Sequence, residues 1–201
     1  MCGMGRGQAV VRVVVCEGWE RWMGWEEVGR VWVPPSPNMP TPSTALLYPG
    51  MCLFEGTNCS EGRGTTLPFH LVGAPWVDAR FAEEAQKTEC GGVVVREAHF
   101  TPTSGRFSGE VVSGVQVHVT DASCLEPLHL ALTLMCLLHR LYPHKLVWRE
   151  ERGSFWVDKL WGNTKLREGV DKGESADEIL ARAHDDVVWF EAARQPFLLY
   201  S

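Results

Sequence analysis

The chain lacks most of the features that announce a function at sight. No C-x-x-C pair occurs among its seven cysteines, Cys2, Cys16, Cys52, Cys59, Cys90, Cys124 and Cys136, which argues against a zinc ribbon or a dithiol redox centre. No H-E-x-x-H or H-x-H arrangement occurs among the histidines, so no metal site and no cofactor is expected. A serine hydrolase of the α/β type would need a G-x-S-x-G elbow, and none is present. No segment approaches the roughly 20 apolar residues that span a bilayer, so no membrane span is expected. Positive charge is in deficit. Lys and Arg number 19 against 25 Asp and Glu, giving a net charge of −6 and a pI near 5.6. That balance offers no general basic footprint for nucleic acid and suits neutral or sugar-like ligands better. Residues 1–7 show no apolar run behind a basic flank, so no export signal is read there. There is no internal repeat and no low-complexity tract.

What remains is globular. The 201 residues are 45% hydrophobic and 22% charged, within the range of folded domains. The odd number of scattered cysteines suits small buried hydrophobes better than a disulfide framework. Nine tryptophans serve first as core filler, and some can stack on sugars.

Hydrophobic period and punctuation divide the chain into elements. The β-branched run Ala9 to Val15 predicts a strand buried on both faces, as in a parallel sheet. Trp19 to Trp25 reads as irregular, and Pro34, Pro35, Pro37 and Pro40 as a rigid extended loop. Thr41 to Leu47 opens a short helix with Pro42 near its first position, and Pro49-Gly50 breaks it. Glu55 to Thr66 is a glycine-rich loop. Beyond it come a strand at Phe69 to Val72, a helix at Asp78 to Lys87 and a strand at Val93 to Phe100. In the strand Ser113 to Thr120, Val115, Val117 and Val119 share one face and Gln116, His118 and Thr120 the other. Ser123 and Glu126 predict a capping box for an apolar helix reaching Leu141 and packing on that valine face. Leu146 to Trp148 and Phe155 to Val157 are short strand candidates, and Thr164 to Asp171 a helix ended by Gly173. Ser175 and Glu178 predict a second capping box, opening a helix to about Arg194 with Ile179, Ala183, Val187 and Phe190 buried. The fold class is therefore α/β: residues 1–67 are a strand with loops, and 68–201 a smaller α+β domain.

The chemistry concentrates between Glu55 and Thr66. Twelve residues hold two carboxylates, a guanidinium, an amide and four hydroxyls among three glycines. Asn and Glu pair with sugar hydroxyls, and Arg binds carboxylates bidentately. Glycosidases commonly use two carboxylates, for which Glu55 and Glu61 are candidates. An adjacent Arg63 would hold Glu61 ionised, favouring a nucleophile, base or hydroxyl acceptor over a general acid. A solvated turn closed by its own ion pair is the plain alternative. Gln116 and His118 share a strand face that can line a cleft or simply face solvent. Asp121 suits a local turn.

Several segments together resemble the exo-β-N-acetylmuramidase (NamZ-type) family of peptidoglycan glycosidases. They are Pro35 to Thr41, Thr44-Ala45-Leu46, Tyr48-Pro49-Gly50, the Glu55 to Thr66 loop, Pro68-Phe69, Gly73 to Trp76, Phe100 to Thr103, Gly114 to Asp121 and Pro196 to Tyr200. The resemblance covers about residues 9–200 and only the C-terminal half of the family's length. It implies release of N-acetylmuramic acid from non-reducing ends of peptidoglycan fragments, with a muramyl saccharide as partner. It also implies a cleft between a Rossmann-like N-terminal domain and a smaller C-terminal one. Residues 1–67 become the remnant of the Rossmann-like domain, whose larger part, with acidic residues of its own, lies outside the match. The implied site is Glu61 and Glu55 as catalytic carboxylates, with Asn38, Thr57, Asn58, Arg63, Gln116 and His118 binding substrate. The resemblance further implies an exported protein, periplasmic or extracellular. The first eight residues match nothing and look like a misplaced start. A truncated, non-catalytic carbohydrate-binding module and an unrelated α+β domain are the competing readings.

Overall fold

A computed structural model describes residues 10–200. Its centre is a three-stranded sheet of β1 (Leu71–Ala74), β2 (Val93–Phe100) and β3 (Val112–Val119), in the order β1-β3-β2. Both pairings are antiparallel, with Leu71 opposite Gln116 and Val93 opposite Val119. The predicted buried strand at Ala9 to Val15 is not found. Ala9 lies outside the described residues. Residues 10–15 pair with no strand and leave Val10 and Val14 97% and 85% exposed. A β-branched run becomes a strand only where a neighbouring strand accepts its backbone bonds, and neither edge strand of the described sheet, β1 or β2, pairs with it. Local pattern recovers β2 and β3 well, because alternation over eight residues is self-contained. The first strand starts two residues late, since Phe69 takes a left-handed turn (φ 62°).

Helices close over the sheet. The short α1 (Trp25–Val28) begins where the segment expected to be irregular ends. Next, α2 (Pro42–Met51) is capped by Thr41, whose hydroxyl accepts from the Thr44 amide. It does not break at Pro49-Gly50 as expected. It runs through Pro49 into a 3₁₀ turn, Cys52–Gly56, because Leu47 and Met51 are fully buried on its inner face. Asp78 caps α3 (Ala79–Ala85), which lies nearest β2 and β3.

The apolar helix is α4 (Pro127–Leu141), with Leu130, Leu132, Leu134, Met135 and Leu138 sealed from solvent. Each such side chain contributes roughly 2 kcal/mol of hydrophobic stabilisation. The Ser123–Glu126 capping box does not form. Pro127 disfavours helical backbone at Glu126, so α4 starts at the proline, and Ser123 donates to Asp121 instead. Val115 and Val117 join the same hydrophobic cluster as the α4 leucines, with α3 the helix closest to the valine face.

A hairpin of β4 (Glu150–Glu151) and β5 (Ser154–Phe155) turns at Arg152-Gly153, both with positive φ. It replaces the strands expected at Leu146 to Trp148 and Phe155 to Val157, and α5 (Trp156–Trp161) follows at once. Helix α6 (Lys165–Lys172) ends on left-handed Gly173, as the glycine predicted. The Ser175–Glu178 box opens α7 (Ala176–Ala181). The long helix expected there splits, and α8 (His184–Arg194) begins anew. Lys165 Nζ takes the Arg182 carbonyl and also pairs with Asp186 at 2.7 Å, which removes an acceptor that a continuous helix would use. Ile179 is buried, but Val187 and Phe190 are more than half exposed. Among the described residues no helix is long and apolar enough to cross a membrane.

Candidate functional site

The polar segment is held at both ends by backbone pairing. Gly56 accepts from the Arg149 amide at 2.8 Å, and the Asn58 amide donates to Val147 at 2.9 Å. Thr57 bridges Trp148, and Ser60 bridges Gly73. The first pairing carries the Arg149 side chain up to Glu55. A second docking uses Gly64, whose carbonyl accepts from both the amide and the hydroxyl of Thr103. Gly64 has φ +80°, and a Cβ there would lie 2.3 Å from the Ser104 carbonyl oxygen. Only glycine permits that approach, and it brings the 101–109 loop, with Arg106, over the segment.

The result is a niche of about 440 Å³ lined by Glu55, Glu61, Arg63, Arg106 and Arg149. Arg63 ties the two carboxylates together: Nη2 sits 2.7 Å from Glu55 and Nε 3.3 Å from Glu61. Its guanidinium also lies 4.9 Å from the Phe69 ring centre. Burial works against the charge on Arg63, but the Glu55 bond and both carboxylates outweigh it and raise the guanidinium above its ordinary value. Arg149 stacks over Trp156 at 4.9 Å and stands 3.6 Å from Glu151. No carboxylate lies within 4.0 Å of Arg106 among the described residues.

Glu61 departs from the sequence expectation. Only 7% exposed, its carboxyl is raised above the ordinary range, because burial penalises the charge and Glu55 adds repulsion. Arg63 and Arg106 pull the other way but do not win. The ion-pair distance alone would suggest a depressed value. Burial decides, because the better-placed oxygen on Arg63 belongs to Glu55. Burial thus disfavours the charged form of Glu61, the direction opposite to the one its Arg63 neighbour predicts.

The other sequence candidates separate. Asn58 does not join Glu61 and Arg63: its Oδ1 accepts from Val147 N at 2.9 Å and its Nδ2 donates to Lys145 O at 2.8 Å. Thr57 is fully buried, donates to Phe54 O and accepts from Cys59 N. Both positions build the loop. Gln116 and Asn38 line a second hollow of about 700 Å³, with Thr65, Thr66, Arg96 and His99. Arg96 donates to both Gln116 Oε1 and His118 Nε2, tying the two strand neighbours together. Gln116 is buried, and His118 is exposed.

Sequence reasoning missed Arg106, Arg149 and His70. Nothing local distinguishes the two arginines from solvated ones. His70 is buried, with Nδ1 3.1 Å from Val117 O and Nε2 3.3 Å from the Thr44 hydroxyl; burial lowers its pKa. Cys59 is a core residue whose thiol burial pushes up to about 12. Among the described residues no group of three or more His, Cys, Asp or Glu is placed to hold a metal ion.

Residues 46–200 match the family described as exo-beta-N-acetylmuramidase NamZ, C-terminal, and residues 3–43 match its N-terminal counterpart. The chain is 38% identical over 193 residues to peptidoglycan beta-N-acetylmuramidase NamZ of Bacillus subtilis (strain 168). That alignment covers 96% of this chain and 46% of the relative, so the chain spans about half the length of the curated protein it matches. Crystal structures of two DUF1343 family proteins from Bacteroides fragilis NCTC 9343 are similar. One has a TM-score of 0.79 at 27% identity, covering 92% of this chain and 49% of that one. The other has a TM-score of 0.59 at 31% identity, covering 84% and 44%.

Proposed function

The chain belongs to the exo-β-N-acetylmuramidase NamZ family, and from that premise we propose that it supplies one wall of a glycoside hydrolase site. That site releases N-acetylmuramic acid from the non-reducing ends of peptidoglycan fragments. The observation that carries this reading is the niche in which Glu55 and Glu61 share the Arg63 guanidinium while burial raises Glu61. A carboxyl disposed to hold a proton can donate to a glycosidic or hydroxyl oxygen. Glu55, fixed by its 2.7 Å bond to Arg63, acts as the fixed acceptor beside it.

We assign the opposite wall to a Rossmann-like half of the kind the family carries. Support comes from the N-terminal family match over residues 3–43 and from the 46% coverage of the relative. The exposed valines of residues 10–15 add an apolar segment suited to such a neighbour. The N-terminal family match ends at residue 43 and the C-terminal one starts at residue 46. A catalytic site needs its groups placed within about half an ångström, so both walls are required for turnover.

The test joins this chain to the N-terminal half of the Bacillus subtilis relative and measures N-acetylmuramic acid released from a chromogenic muramide. The joined protein should turn over, the chain alone should bind without turnover, and Glu61→Gln should cut the rate at least tenfold. Turnover by the chain alone at the joined protein's rate would refute the need for a second wall. A correctly folded joined protein that releases no sugar would sink the muramidase reading.

A further inference from the structure

We infer that Arg106 and Arg149 form a carboxylate-recognition site that selects muramic acid over glucosamine. The inference rests on the muramidase reading and names the group of the substrate that this niche takes. In a chain of net charge −6, three guanidiniums converge on one small niche. Two carboxylates share that niche, but they do not neutralise it. Glu55 and Glu61 are both engaged by Arg63. Three guanidiniums against two carboxylates leave the niche one positive charge in excess. Arg106 has no carboxylate within 4.0 Å among the described residues. Arg149 faces only the looser Glu151 contact at 3.6 Å, and its stack on Trp156 holds the guanidinium plane in place.

Both arginines are positioned by the backbone. Arg149 is fixed at its own amide and carbonyl, which bond Gly56 O and Trp156 N. Arg106 is carried by the loop docked on Gly64 through Thr103. Pre-organised guanidiniums with donors to spare match a planar carboxylate. N-acetylmuramic acid differs from N-acetylglucosamine by a lactyl ether bearing such a carboxylate. A niche that recognises a neutral sugar has no use for two further arginines, whereas one that must refuse glucosamine does. At these exposed but backbone-positioned arginines a charge-assisted bond is worth about a tenfold preference.

The experiment titrates the 201-residue chain with N-acetylmuramic acid and with N-acetylglucosamine, following binding by ligand-observed NMR. Arg106→Gln and Arg149→Gln are titrated in parallel, and circular dichroism checks their fold. Both side chains are exposed, so neither change removes core. The expected result is about tenfold tighter binding of N-acetylmuramic acid, with the preference falling to near unity in each variant. Arg106→Lys should restore part of it. Equal binding of the two sugars by the unaltered chain overturns the carboxylate inference and leaves the muramidase reading standing. A preference untouched by both glutamine variants also overturns it, by placing the selectivity elsewhere. Binding of neither sugar overturns both, since the niche would then take no muramyl ligand.

Discussion

Gly50 in α2 abuts the backbone of Pro127 at the start of α4. A Cβ at position 50 would lie 1.8 Å from the Pro127 carbonyl oxygen and 3.1 Å from the Ala131 methyl. The two helices cross there in close backbone contact. In an isolated helix, Gly→Ala would stabilise by about 1 kcal/mol. Here the obstacle is backbone, which no rotamer change can clear. Gly50→Ala should therefore destabilise the fold by roughly 2 kcal/mol or more, read as a lower urea midpoint at unchanged slope. An unchanged or higher midpoint would show that the helices part easily.

Glu61 should make stability depend on pH in the sense opposite to a surface carboxylate. Its folded pKa is raised above the ordinary 4.5, so between those values the native state binds more protons than the unfolded chain. The contribution is fully present below about 4.5 and is lost as pH rises through the raised value. Glu61→Gln, which imitates the protonated form, removes that dependence. Chemical denaturation of both proteins from pH 4 to pH 8 should show the parent losing stability relative to the variant as pH rises. A parent that gains on the variant instead would mean that Arg63 outweighs burial.

Asn58 is a brace between two chain segments. Asn58→Ala removes one bond to Val147 N and one to Lys145 O, at a cost of roughly 1–2 kcal/mol. Because Asn58 does not line the niche, affinity for N-acetylmuramic acid should stay within about twofold under conditions where the variant is folded. A selective loss of sugar affinity with unchanged stability would return Asn58 to the binding residues.

Ser175 accepts from Glu178 N while the Glu178 carboxylate accepts from Ser175 N. The helix they open, α7, has six residues and little propensity of its own. Ser175→Ala should cost about 1 kcal/mol, seen as a lower thermal midpoint. Faster amide exchange should be confined to residues 176–181. No change in either quantity would mean that the burial of Ile179 holds α7 without its cap.

Elements whose instructions lie within one or two turns were legible in the sequence. The alternation of β2 and β3, the Gly173 stop and the Ser175–Glu178 box are local physics, and the structure places each where local physics put it. Expectations failed where a distant contact overrode local preference. Pro49 did not end α2, because the burial of Leu47 and Met51 held the helix on. The run at residues 10–15 formed no strand, because strand formation needs a partner that no local pattern supplies.

The candidate site divides the same way. Glycine spacing and the density of polar groups marked Glu55, Glu61 and Arg63 from the sequence alone, since close neighbours in a tight loop are close in space. Arg106 and Arg149 reach the niche only because Thr103 docks on Gly64 and residues 147–149 pair with 56–58. Those hydrogen bonds join segments far apart in the chain. The disposition of Glu61 toward its proton was likewise a tertiary decision. Its neighbours in sequence argue for a charged carboxylate, and the surrounding fold removes the water that the charge would need.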